Sequence, residues 1–124
     1  MAGDPMRVAG LGCRRGAPVE ALQQVLAMAV VQGGPPDALA TIPARETEMR
    51  ALAEAMMLPL RLVQVEGVET PTQSPRILAR YGTGSVAEAA ALTAAGPGAR
   101  ITISRMVSAC GRATCAIAES GEPA

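Results

Sequence analysis

An apolar segment at residues 8–11 runs directly into a glycine-rich turn that carries a thiol and two arginines, and a long amphipathic pattern follows. The pattern predicts a buried strand over residues 6–11 and, with Pro18 in its first turn, a helix that continues through residue 31. Backbone N–H groups at the start of such a helix are unpaired and lie at the positive end of the helix dipole. With Arg14 and Arg15 beside it, this junction is a candidate anion site.

Strands and helices alternate along the rest of the chain. We predict strands over residues 38–42, 60–65, 100–105 and 113–118, helices over 46–57, 75–81 and 86–95, and a loop over 66–74 with a possible role as a lid. This order predicts a three-layer α/β/α fold with a mainly parallel sheet of about five strands. The last two strands lack an intervening helix, so we expect them to form an antiparallel hairpin. We expect one domain over residues 1–124.

Two of the helices carry more detailed predictions. Ser85 is a good N-cap for the helix over 86–95, and Glu88 at its third position completes a capping box. The helix over 46–57 is amphipathic, and its apolar residues are expected to face inward: Met49, Leu52, Ala53, Met56 and Met57.

Charge and aromatic content exclude several classes of function. The 11 basic and 11 acidic residues balance, which argues against a general affinity for nucleic acid or for anionic membranes. With one tyrosine, no phenylalanine and no tryptophan, the chain has no aromatic platform for nucleic-acid bases. Every basic residue is arginine, which reflects either a GC-rich coding bias or selection for planar recognition of carboxylates.

Cysteine and histidine usage limits metal and nucleophile chemistry. Cys13, Cys110 and Cys115 are odd in number and form no CxxC pair, and histidine is absent. We therefore expect no metal site, no cofactor and no Cys-His or Ser-His nucleophile. Three reduced thiols, no signal peptide and no apolar run of about 18 residues favour a cytoplasmic protein without a membrane segment.

Four motifs together resemble one known family. They are GLGCRRG at residues 10–16, Arg45 followed by Glu48, GTGSVAEAAAL at residues 82–92, and Arg105 followed by ATCAIA at residues 113–118. In this order and at this spacing the chain resembles the CobE and CbiG C-terminal domain family of cobalamin biosynthesis. In many CbiG-like sequences lysine stands at the positions of Arg45 and Arg105, and a guanidinium, which stays protonated, could not replace a lysine base.

The resemblance implies a role in the aerobic route to cobalamin, as a carrier or accessory that binds a precorrin or corrin intermediate and works with other enzymes of the pathway. Such intermediates carry acetate and propionate side chains around an apolar macrocycle. Carboxylate clamps and a floor of methionine and alanine would suit them. The predicted ligand-binding residues are Gly12, Cys13, Arg14, Arg15, Gly16, Arg45, Thr83, Gly84, Ser85 and Arg105.

Two alternatives remain at this point. CbiG proteins open the lactone ring of a cobalt-precorrin, which implies a hydrolase or isomerase with Glu48 or Glu88 as general base. Cys13 is then a candidate nucleophile, because a helix N-terminus and neighbouring arginines would lower its pKa. The other interpretation of Cys13 is a small buried spacer in a tight turn. A module that only docks a pathway enzyme is the third interpretation. Tyr81 either lines a ligand pocket or packs with its hydroxyl at the surface.

Overall fold

The computed structural model describes residues 6–121 and places five strands and four helices within them. The elements are β1 Arg7–Cys13, α1 Val19–Gly33, β2 Ala38–Thr41, α2 Glu46–Met56, β3 Leu60–Leu62, α3 Pro75–Tyr81, α4 Val86–Ala95, β4 Arg100–Val107 and β5 Ala113–Glu119. A 3-10 turn, Pro43–Arg45, leads into α2. None of these helices has the length and apolar content needed to cross a membrane.

The strands form one mixed sheet in the order β3-β2-β1-β5-β4. The pairs β1–β2 and β2–β3 are parallel, whereas β1–β5 and β4–β5 are antiparallel. The predicted C-terminal hairpin is therefore confirmed, but the prediction of a mainly parallel sheet is wrong. Strand β5 lies beside β1, so Val8 is paired with Ala38 of β2 on one side and with Ala118 of β5 on the other. The hairpin therefore adds two antiparallel strand pairs to the sheet, β1–β5 and β4–β5.

Helix α4 lies directly on β1 because both elements present very small residues. A Cβ atom on Gly10 would lie 2.0 Å from the carbonyl oxygen of Ala87 and 2.5 Å from the backbone nitrogen of Ala91. Gly10 lies in the strand as predicted, Gly12 lies in it as well and not in the turn, and of the glycines in GLGCRRG only Gly16 has a positive φ, at 75°. This close packing sets the N-terminus of α4 beside the carboxyl end of β1.

Alternate residues of β1 belong to two apolar clusters. Ala9 and Leu11 pack with residues of α1 and α2, whereas Val8 packs with residues of α4. Successive strand residues point to opposite faces of a sheet, so β1 contributes to both clusters.

Helix boundaries follow local sequence signals, but two residues predicted to face the core are exposed. Helix α3 has the predicted bounds: the Ser74 hydroxyl caps its start, and Gly82 ends it at a φ of 73°. Met49 is buried as predicted, but Met56 and Met57 are 41 % and 90 % exposed. Met57 takes a left-handed conformation that ends α2. Strand β3 is also shorter than predicted, with three residues.

Candidate functional site

A cleft of about 510 Å³ opens at the carboxyl ends of β1 and β2, beside the start of α4. Gly12 and Cys13 contribute the end of β1, Ile42 follows β2, and Val86 is the first residue of α4. Helix α3 and the β4–β5 hairpin form the remaining walls. Ligands of open α/β sheets bind at this edge, and the positive end of the α4 dipole lies there.

Arginines dominate the lining of this cleft. No acidic residue of the described part lines it. Seven of the chain's 11 basic residues do: Arg14, Arg15, Arg45, Arg76, Arg80, Arg105 and Arg112. A chain with no net charge therefore has a strongly positive concave surface. Guanidinium groups recognise carboxylates and phosphates through pairs of parallel hydrogen bonds, so the cleft suits an anion with several such groups.

Arg45 is the innermost of these arginines and is 7 % exposed. Its Nε donates to the carbonyl oxygen of Cys13 at 2.8 Å, and one terminal nitrogen donates to the carbonyl oxygen of Ala44 at 3.0 Å. The other terminal nitrogen contacts the Tyr81 hydroxyl at 3.5 Å. These partners are all neutral, and no carboxylate within residues 6–121 forms a salt bridge with Arg45. Burying a charge without a salt-bridge partner costs free energy, so the position of Arg45 is unusual for a structural arginine.

Three arginines and Tyr81 line the cleft although they are not among the predicted ligand-binding residues. Arg76 and Arg80 are four residues apart on α3, so they share one helix face, and Tyr81 follows them. The Arg80 guanidinium carbon lies 5.6 Å from the centre of the Tyr81 ring. Arg112 comes from the β4–β5 hairpin. The spacing of Arg76 and Arg80 could have suggested a basic face, but not where α3 lies.

Glu48 binds the glycine-rich turn next to the cleft. The Gly16 N–H donates to the Glu48 carboxylate at 2.7 Å, and this bond holds the pKa of Glu48 below its ordinary value, with support from the charges of Arg45 and Arg15. Gly16 itself does not line the cleft. The turn therefore does bind an anion through a backbone N–H, but that anion belongs to the same chain.

The Cys13 thiol is less acidic than expected. Burial and, to a smaller extent, the nearby Glu48 carboxylate raise its pKa to about 11, and Arg45 only partly opposes this. The expectation of a lowered pKa is wrong because desolvation and Glu48 outweigh the arginine. Cys13 lines the cleft as a neutral thiol.

The predicted turn at Thr83, Gly84 and Ser85 lies behind the cleft wall and does not line it. Thr83 Oγ1 donates to the carbonyl oxygen of Val68 at 2.6 Å, and the Gly84 carbonyl accepts from the Ser74 N–H at 3.0 Å. Ser85 Oγ accepts from the Glu88 N–H at 3.2 Å, which confirms the predicted N-cap.

The Glu88 carboxylate is completely buried and does not complete a capping box. Its oxygens accept from the Thr72 N–H and the Thr72 hydroxyl, both at 2.9 Å, and from the Arg105 N–H at 2.8 Å. Glu88 therefore joins the loop before α3 to β4. Through the backbone of Arg105 it also helps to hold one arginine at the cleft.

Known proteins share both the sequence pattern and the fold. The family model described as "Cobalamin synthesis G C-terminus" matches residues 7–118. The crystal structure of CobE, a protein from the cobalamin (vitamin B12) biosynthetic pathway, superposes with a TM-score of 0.81 at 28% identity, covering 100% of this chain and 96% of that one. The crystal structure of the cobalamin biosynthesis protein chiG from Agrobacterium tumefaciens superposes with a TM-score of 0.72 at 38% identity, covering 94% of this chain and 99% of that one. No curated protein matches the chain in sequence. This chain belongs to the cobalamin synthesis G C-terminus family of cobalamin biosynthesis proteins.

Proposed function

We propose that the arginine-lined cleft binds a precorrin or corrin intermediate through its acetate and propionate side chains, and that the protein acts in the cytoplasm as a carrier or accessory for enzymes of the pathway. The buried, unpaired guanidinium of Arg45 is the observation that carries this proposal. A ligand carboxylate would form the direct salt bridge that Arg45 lacks within residues 6–121.

The apolar part of the cleft suits a macrocycle as well. Ile42, Ile77, Val86 and Val107 line it between the arginines. This differs from the expected floor of methionine and alanine, since no methionine or alanine of the described chain lines the cleft. Branched aliphatic side chains beside guanidinium groups match an apolar ring with carboxylates at its rim.

No observation favours the hydrolase or isomerase alternative. The raised pKa of Cys13 opposes a thiolate nucleophile, and the lowered pKa of Glu48 makes it a weak base. Glu88 is buried behind the cleft and bonded on both oxygens. Arg45 and Arg105 are guanidinium groups, which stay protonated.

An absorbance titration with hydrogenobyrinic acid tests the proposal. Arg76 and Arg112 are exposed and have no side-chain partner among the described residues, so an Arg76→Gln, Arg112→Gln double variant should fold normally. We expect it to bind about tenfold more weakly than the wild type. Arg50→Gln is the matched control, because Arg50 is exposed and pairs with Glu46 away from the cleft. Absence of wild-type binding at high micromolar concentration would refute the proposal.

The chemical state of the corrinoid recovered from this complex distinguishes a carrier from an enzyme. A carrier releases the corrinoid chemically unchanged, as mass spectrometry of the recovered ligand would show. Conversion of the ligand by the wild type, with loss of conversion in Glu48→Gln or Cys13→Ser, would establish the enzymatic alternative instead.

A further inference from the structure

We propose that Tyr81 is a ligand-binding residue of the cleft and forms, together with Arg45, a two-donor site for one ionised carboxylate of the ligand. This inference rests on the proposed function, because it assigns a place to one side-chain carboxylate of the tetrapyrrole. It extends the proposed function because it names Tyr81 as a residue that binds the carboxylate and states that the site selects the ionised form.

The hydrogen bond between Arg45 and Tyr81 leaves the hydroxyl hydrogen of Tyr81 unused. A guanidinium has only donors, so the Tyr81 oxygen, 3.5 Å from the terminal nitrogen of Arg45, can only accept there. Within residues 6–121, the Tyr81 hydroxyl has no other hydrogen-bond partner. Its own hydrogen therefore lacks an acceptor, although the side chain lines the cleft. Tyr81 is half-buried and lines the cleft, so its hydroxyl can donate to a ligand in place of water.

Arg45 has donors left as well. Three of the five guanidinium N–H groups are used by Cys13, Ala44 and Tyr81, which leaves two for a ligand. The terminal nitrogen and the hydroxyl oxygen are 3.5 Å apart. Two donors at this separation both reach a single carboxylate oxygen at ordinary hydrogen-bond lengths. Such an oxygen would accept from a charged donor and from a neutral one.

Both donors are held in place before any ligand binds. The Cys13 carbonyl fixes Arg45 through a 2.8 Å bond, and Tyr81 stands at the end of α3 with the Arg80 guanidinium over its ring. Ordering a ligand against groups that are already fixed costs less entropy.

The donor pair also determines the class of ligand. A carboxylate accepts stronger, charge-assisted hydrogen bonds, whereas a carboxamide is neutral and also presents N–H groups that the two donors cannot accept. The site therefore selects a tetrapyrrole whose side chain at this position is a free acid. A reaction that converts this carboxylate to an amide would weaken binding.

Tyr81→Phe tests the assignment because it removes only the hydroxyl and keeps the ring. Binding of hydrogenobyrinic acid is measured for the wild type, Tyr81→Phe and Arg76→Gln at several salt concentrations. We expect Tyr81→Phe to bind about tenfold more weakly with an unchanged dependence on salt, since no charge is lost. Arg76→Gln, which removes a rim charge, is expected to reduce the salt dependence.

A second measurement uses the wild type alone. Tyr81 is the chain's only tyrosine, so ring-labelled protein gives the NMR signals of a single tyrosine. Those signals are expected to shift when hydrogenobyrinic acid is added. Binding by the wild type with equal affinity in Tyr81→Phe, or with no shift of the Tyr81 signals, would overturn the inference and leave the proposed function standing. Absence of wild-type binding would overturn both.

Discussion

The Nε atom of Arg45 donates to the carbonyl oxygen of Cys13 at 2.8 Å, and this bond joins the turn before α2 to the end of β1 inside the cleft. Arg45 is thereby oriented by the backbone and not by an acidic side chain. A buried arginine is usually paired with a carboxylate, whereas Arg45 forms no salt bridge within residues 6–121.

Replacing Arg45 should separate binding from stability. In Arg45→Met we expect binding of hydrogenobyrinic acid to fall at least tenfold, because the innermost guanidinium is lost. The free energy of unfolding should change by less than about 2 kcal/mol, since the lost hydrogen bonds are offset by removal of an unpaired buried charge. Urea denaturation and absorbance titration measure the two effects.

Arg7→Met is the control for this experiment. Arg7 pairs with Glu119 at 3.1 Å and does not line the cleft. It should lower stability while leaving affinity unchanged. A loss of affinity in Arg7→Met equal to that in Arg45→Met would contradict a specific role for Arg45.

Local signals in the sequence were sufficient for much of the fold. Ser74 with Pro75 at one end and Gly82 at the other set the bounds of α3, and Ser85 sets the start of α4. These residues act on the backbone within one turn, so their effect does not depend on the tertiary structure. The position of β5 beside β1 depends on long-range pairing, and no local pattern indicated it.

The candidate site likewise contains residues that the sequence predicted and residues whose position depends on the tertiary structure. The resemblance and the strand ends led to Arg14, Arg15, Arg45 and Arg105, all of which line the cleft. The arginines of α3 and Tyr81 join them only because α3 lies across the end of the sheet, which sequence periodicity does not determine. Glu48 and Glu88 were singled out as general bases, yet their carboxylates accept hydrogen bonds from the backbone N–H groups of Gly16 and Arg105.

Enlarging Gly10 should be severely destabilising. A Cβ atom at this position would lie 2.0 Å from the Ala87 carbonyl oxygen, so Gly10→Ala must push α4 away from β1. We expect a loss of about 3 kcal/mol in the free energy of unfolding. Gly67→Ala is the control: it has a positive φ of 81° but open space around it, and should cost about 1 kcal/mol. Equal losses in thermal or urea unfolding would refute the close packing of α4.

Glu88 should prove to be a residue that maintains the fold. In Glu88→Ala the N–H groups of Thr72 and Arg105 and the Thr72 hydroxyl lose their acceptor in a buried site. We expect the free energy of unfolding to fall by about 3 kcal/mol or more. The exposed residue Glu54 on α2 provides the control, Glu54→Ala, with a change within about 0.5 kcal/mol. A stable Glu88→Ala protein would contradict this role.

The three thiols should differ in reactivity toward iodoacetamide. Cys110 is exposed, and its pKa is lowered by the Ser108 hydroxyl and by the backbone and charge of Arg112. Burial raises the pKa of Cys115 to about 12, and that of Cys13 is about 11. We therefore expect Cys110 to be alkylated first at pH 8, as peptide mapping by mass spectrometry would show. In Cys110→Ser the protein should remain largely unmodified, and rapid labelling of Cys13 would show that its thiolate is accessible after all.

The raised thiol pKa of Cys13 also predicts how stability changes in alkaline solution. Below pH 9 the thiol is protonated in both the folded and the unfolded chain, so it causes no pH dependence. Between its ordinary value of 9.0 and about 11, the folded protein retains a proton that the unfolded chain has lost, so stability falls as pH rises. Cys13→Ser has no such group and should lose less stability than the wild type between pH 8 and pH 10.5 in urea unfolding. Parallel curves for the two proteins would show that the folded environment does not disfavour the Cys13 thiolate.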